Sequence, residues 1–301
     1  MNTDVLILSG GAPRPALLDA AERLFRAYES RFSRFLPNSE LSTLNRAAGA
    51  PVPLSPEMLR ILERAAALHR RTNGAFDPAI LPALEAAGYD RSFERVDRDG
   101  AASTQTHVRC GSIADLRIDH ARSVVSAPEG VRIDLGGIGK GFTVDAAAAV
   151  LRPGGNALVD AGGDIRAFGD GPEGDGWLIG VSDPMEPSRL IDQVWLHDAA
   201  LATSTTAARR WLRGGILQHH IIDPRTGAPA ASDVVSVTVL AASAAEAEVF
   251  AKSALVLGYE AGRALLGAQR AAGLFVLAGG GVRTTAGWPG ETPHTEMEQQ
   301  L

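Results

Sequence analysis

The segment Asp134-Leu-Gly-Gly-Ile-Gly-Lys-Gly-Phe-Thr-Val-Asp145 constrains the fold more than any other part of the chain. Val131 to Leu135 leads into it with the pattern of a strand, and Phe142 to about Leu151 leaves it as a helix. Glycines between a strand and a helix let backbone N–H groups approach an anion closely. The helix start adds positive potential, and Lys140 adds a cation. Two familiar phosphate loops are nevertheless excluded. A P-loop needs Ser or Thr directly after its lysine, but Gly141 follows Lys140, and Asp134 occupies the early glycine position. The dinucleotide fingerprint G-x-G-x-x-G is also absent, because Gly137, Gly139 and Gly141 alternate. Taken alone, the segment is as well explained by a tight strand-to-helix turn as by an anion cradle.

Around it, helices and strands interleave. Val5 to Leu8 predicts a strand. Leu17, Ala21, Leu24, Tyr28 and Phe32 recur at helical spacing and predict a helix from about Pro15 to Phe32. Ser55-Pro56 begins another helix, since serine caps and proline suits the first helical position; Met58, Ile61, Leu62, Ala65 and Leu68 form its inner face. Gly88 to Gly130 reads as short strands and turns. Ala157 to Asp160, Trp177 to Val181 and Val234 to Leu240 read as strands. Ser243-Ala-Ala-Glu246 has the spacing of a capping box and opens a helix that Gly258 stops. A second helix follows, from about Glu260 to Gln269. These elements predict one α+β domain over residues 1–290, with mixed sheets flanked by helices, and a polar tail over 291–301.

Composition closes off several function classes. The 301 residues carry a net charge of -6 and no Lys/Arg cluster, which argues against a nucleic-acid partner. One cysteine, Cys110, can form neither an internal disulfide nor a thiolate metal cage. No apolar run approaches the roughly 18 residues of a membrane span. The start lacks the basic and long apolar regions of a signal peptide, so a cytoplasmic protein is expected.

Two further clusters carry polar groups near glycine. Asp160-Ala-Gly-Gly-Asp164 ends a strand in carboxylates. In His219-His-Ile-Ile-Asp-Pro-Arg-Thr-Gly227, the last five residues predict a turn, with proline fixing φ and glycine left-handed. The two histidines ahead of it would face opposite ways on an extended segment.

In order along the chain, these segments resemble the ApbE family of FAD:protein FMN transferases. Phe32-Ser-Arg-Phe35 with Ser39-Glu-Leu41 and Leu44-Asn45 resembles its FSRF…SELSxLN block. Gly74-Ala-Phe-Asp-Pro78 is similar to GxFDP, and Asp134 to Asp145 to DLGGIAKGYAVD. Ala157 to Ile165, Ala202-Thr-Ser204 and His220 to Gly227 are similar to ALVNAGGDI, ATS and HIIDPRTG. Met1-Asn-Thr3 stands where the family has Met-Gly-Thr, so the lipoprotein leader of many exported relatives is expected to be absent.

The resemblance implies a Mg²⁺-dependent transfer in which a threonine hydroxyl of a flavin-accepting protein attacks the FMN phosphorus of FAD and AMP leaves. It implies FAD contacts at Asn45, Ala75, Phe76, Asp77, Lys140, Asp145 and Ile222, and a catalytic role for His220. Metal ligation is implied for the backbone carbonyl of Ala148 and for two side chains four residues apart on the helix after Val234 to Leu240. The family has aspartate and threonine there; this chain has Glu248 and Lys252. Glutamate can still hold a hard cation, whereas a protonated lysine cannot. Either Lys252 supplies positive charge to the diphosphate itself, or the two form an ion pair and catalysis is weakened. An ordinary i,i+4 surface pair is the commonest meaning of this spacing. A non-catalytic FAD-binding protein and an FAD diphosphatase giving FMN and AMP are therefore the alternative functions.

Overall fold

The computed structural model describes residues 3–10, 14–96, 99–100, 108–172 and 174–290. Its centre is a seven-stranded sheet: β1 (Val5–Ser9), β2 (Ala157–Ala161), β3 (Ile165–Phe168), β4 (Ala200–Thr205), β5 (Val234–Ala241), β6 (Ala272–Leu277) and β7 (Val282–Thr284). Strand order follows chain order, and every pairing is antiparallel. Among the described residues, the expected mixing of strand directions occurs only in a small sheet, where Arg210–Arg213 runs parallel to Asp99–Gly100. The sheet is α+β in the expected sense, since its helices gather on one face.

Those helices are α1 (Pro15–Phe32), α2 (Glu40–Arg46), α3 (Pro56–Arg71), α4 (Leu81–Ala86), α5 (Gly139–Leu151), α6 (Ala244–Leu257) and α7 (Tyr259–Ala268). α6 lies across β4 and β5, and α5 packs between α1 and α6. Val237 and Val239 of β5 meet Val249, Phe250 and Leu255 in one continuous core. Each large side chain fully buried there is worth about 1.5–3 kcal/mol. The other face of the sheet is covered by the hairpin Trp177–Ser182 and Leu190–Leu196, with Trp177, Val194 and Leu196 against Leu158 and Leu201. No helix among the described residues is long and apolar enough to cross a membrane.

Local chemistry explains the helix starts. Ser55 Oγ accepts the N–H of Met58 at 3.2 Å, and Met58, Ile61, Leu62, Ala65 and Leu68 are buried as the periodicity predicts. Ser243 Oγ likewise accepts the N–H of Glu246. The other half of that capping box is replaced. The Glu246 carboxylate turns to Arg64 and Arg71, and the Asp145 carboxylate takes the N–H groups of Ala244 (2.8 Å) and Ala245 (3.0 Å) instead. α6 is buried nearly all round, so it shows no polar face.

One expected element does not form. Val131 to Leu135 is extended but joins no sheet. Val131, Ile133 and Leu135 point inward as in a strand, yet the backbone is satisfied by other partners. Asn45 Nδ2 donates to the Ile133 carbonyl at 2.8 Å, and the Ile133 N–H donates to Asn45 Oδ1 at 2.7 Å. The N–H of Asp134 reaches the carbonyl of Pro78 at 2.7 Å. The helix behind the glycines starts at Gly139, earlier than expected. Gly141 belongs to its first turn because a Cβ there would overlap the backbone of Ala244 and Ala245 on α6. The expected tail over 291–301 lies outside the described residues.

Candidate active site

A cavity of about 550 Å³ opens between the α1–α2 connection, the Ala75–Ile80 segment, the glycine loop and the segment around His220. Phe32, Phe35, Phe76, Tyr89 and Phe93 give its wall an aromatic part. Arg34 crosses this wall 4.2 Å from the ring centre of Phe35 and 4.8 Å from that of Tyr89. Its Nε lies 2.6 Å from Asp134 Oδ2, which ties the aromatic wall to the start of the glycine loop.

The wall also carries cations. Lys140, Lys252 and Arg209 line it together with Gly136, Gly137 and Gly139. Lys140 Nζ sits 2.7 Å from the buried carboxylate of Asp164. Burial works to lower the Lys140 pKa, but Asp164 and Glu248 outweigh it and hold the group above its ordinary value. Desolvation, reinforced by Asp164, pushes the Glu248 carboxyl up to about 7 against the pull of Lys140 and Lys252. Glu248 Oε2 accepts the N–H of Gly141 at 2.9 Å. Lys252 Nζ donates to the Gly136 carbonyl at 3.3 Å, and burial holds its pKa below the lysine range. Glu248 and Lys252 thus have separate partners rather than pairing directly with each other.

His220 lines the cavity, whereas His219 on the preceding residue turns its Nε2 to the Ala230 carbonyl at 3.2 Å. The opposite orientations are those expected of neighbours on extended chain. His220 Nδ1 is buried without a partner. Burial, together with Lys252 and Arg209, drives its pKa well below the ordinary histidine value, so the imidazole is neutral. The turn behind it forms as the sequence predicts. Gly227 has φ 66, its N–H reaches the Asp223 carbonyl at 2.9 Å, and the Asp223 carboxylate is gripped by Arg225.

Of the residues singled out in the sequence, Ala75, Phe76, Asp77, Lys140, His220, Ile222 and Lys252 line this cavity together. Asp77 is also fully engaged behind it, accepting from Ala79, Ile113 and Ser112 with His69 Nδ1 3.2 Å away. Asn45, Asp145, Ala148 and Glu248 are not on its wall. Asn45 clamps residue 133, and Asp145 caps α6. The Ala148 carbonyl accepts the N–H of Arg152 inside its helix. Sequence reasoning missed Arg209, which is held at φ 48 just before a strand. Two adjacent arginines after the Ala202-Thr-Ser204 block were its only signal.

The donor set does not fit a hard divalent cation. Lys252 offers an ammonium where a ligand oxygen would be needed, and the Glu248 carboxylate accepts the Gly141 N–H in the field of Lys140 and Lys252. Among the described residues, no group of three or more His, Cys, Asp or Glu side chains could hold a metal.

The fold is shared with flavin-transferase structures. The flavin transferase ApbE from Vibrio cholerae superposes with a TM-score of 0.77 at 28% identity, covering 94% of this chain and 93% of that one. The ApbE protein from Thermotoga maritima gives a TM-score of 0.82 at 29% identity, covering 94% of each chain. A curated relative from Treponema pallidum, an FAD:protein FMN transferase, is 34% identical over 277 residues, covering 83% of this chain and 74% of that one. The model of the ApbE family matches residues 1–275, and the chain belongs to that family.

Proposed function

We propose that the protein is an FAD:protein FMN transferase that attaches FMN to a threonine of an acceptor protein and releases AMP. The observation that carries this reading is a cavity whose wall combines aromatic rings with glycines and the cations Lys140, Lys252 and Arg209. A flavin dinucleotide calls for the same combination, with ring systems flanking a diphosphate. Lys140, Lys252 and Arg209 suit the diphosphate, and the rings of Phe35, Phe76 and Tyr89 suit a planar heterocycle.

The chemistry then needs an acceptor oxygen placed in line and a group to take its proton. His220 is neutral and faces the cavity, so its free ring nitrogen can accept that proton. A bound diphosphate offsets the cations that depress its pKa, which strengthens the base as substrate arrives. The threonine oxygen bonds to the FMN phosphorus, the phosphoanhydride bond breaks, and AMP departs with the electron pair. The cations stabilise the charge that collects on the leaving phosphate.

Incubation with FAD and a flavin-accepting domain tests the reading. In-gel flavin fluorescence on the acceptor is the expected result. An acceptor that stays dark while a known transferase labels it in parallel would overturn it, and AMP released without acceptor would point to a diphosphatase.

A further inference from the structure

We infer that this chain neutralises the diphosphate with its own fixed cations, Lys252 foremost, and binds and turns over its dinucleotide without a divalent metal ion. The inference rests on the proposed function for the identity of the ligand. It starts from how the glycine loop is shaped. A Cβ at Gly137 would lie 2.6 Å from Lys252 Nζ and 3.3 Å from a ring carbon of Phe76. The loop backbone is therefore fitted around the amine, which is not the situation of a lysine on a solvated helix face. The same amine donates to the Gly136 carbonyl at 3.3 Å and lines the cavity wall. An ammonium has three donors, and that carbonyl takes one of them.

The local charges lead to the same conclusion. Lys140, Lys252 and Arg209 bring three positive charges to the cavity wall. Asp164 and Glu248 bring two carboxylates behind it. Asp164 is taken by Lys140 at 2.7 Å, and Glu248 accepts the Gly141 N–H at 2.9 Å. Asp164 is thus committed to Lys140, and Glu248 by itself offers too few oxygens to hold a hard cation from solvent. A diphosphate ester arriving here meets an excess of positive charge that is already in place. A divalent ion seated near Glu248 would instead be pressed against the Lys252 ammonium, like charge on like charge. Lysine and metal compete for one place, and the chain has filled it covalently.

Titrating the full-length protein with FAD, followed by flavin fluorescence, separates the possibilities. One series contains EDTA and the other contains Mg²⁺. The expected result is the same affinity in both, with flavin transfer to an acceptor domain proceeding in EDTA. Lys252→Met should weaken FAD binding by about ten- to a hundredfold, the worth of one hydrogen bond to a charged group, while Lys252→Arg retains most of it. Lys252→Thr should make FAD binding respond to Mg²⁺. Binding or transfer that appears only with Mg²⁺ would overturn this inference and leave the transferase reading standing. Metal-independent FAD binding without transfer in either series would overturn the transferase reading and leave the cation substitution standing. A folded protein that binds no FAD in either series would overturn both.

Discussion

At the scale of single residues, His220 shows how burial and charge divide a task. Its ring sits among cations that keep it unprotonated, and its Nδ1 has no partner among the described residues. Removing a positioned proton acceptor costs typically about 10²- to 10⁴-fold in rate. His220→Asn should therefore reduce transfer into that range while FAD affinity changes little, because the diphosphate contacts lie on other residues. Single-turnover labelling of the acceptor alongside an FAD titration measures both. Weakened binding with an unchanged labelling rate would assign His220 to substrate positioning. His220 stood out in the sequence because it opens a run of eight residues with a turn at its end. Arg209 did not, because its place on the wall depends on a left-handed backbone angle that no side-chain pattern records.

At the scale of elements, the contact between α5 and α6 controls the site. Gly141 lets the first turn of α5 touch the backbone at the start of α6. Asp145, one turn along, caps α6, and Glu248 of α6 reaches back to the Gly141 N–H. Gly141→Ala forces these backbones apart, and overpacking of this kind costs typically about 1–3 kcal/mol. Urea unfolding should show a lower midpoint with an unchanged slope, and FAD affinity should fall in step as Glu248 and Lys252 shift. Unaltered stability would mean that the helices have room to part. The sequence revealed α3 readily, because one face is polar and the other apolar. It revealed α6 through its caps alone, since a helix buried all round carries no periodic signal. Residues 131–135 were misread because inward alternation is common to a strand and to an extended chain. Backbone partners remote in sequence distinguish them, the amide of Asn45 at 88 residues' separation among them.

For the whole molecule, the two adjacent histidines set an acid limit. Burial lowers the pKa of each in the folded protein. An unfolded chain takes up protons at histidine near pH 6.5, while the folded chain resists until a lower pH. Stability is thus unaffected above about 6.5 and falls as the pH drops below it, by at most about 1.4 kcal/mol per pH unit for each histidine. Glu248 acts in the opposite direction, since its raised pKa makes the folded state hold a proton as the pH approaches 7. Comparing wild type with His220→Gln cancels that contribution. The melting temperature of wild type should drop further than that of the variant between about pH 7 and pH 5.5. Parallel curves would show that His220 titrates normally.

The meeting of Gly141 with Ala244 has a consequence in time as well as in energy. The glycine loop of the cavity wall is continuous with α5, and Lys252, whose amine meets that loop, rides on α6. Two helices locked backbone to backbone leave neither half free to close over a ligand or open to release it. Association with FAD should therefore be a single event, its observed rate rising linearly with FAD concentration in stopped flow. A rate that levelled off would expose a conformational step elsewhere in the wall.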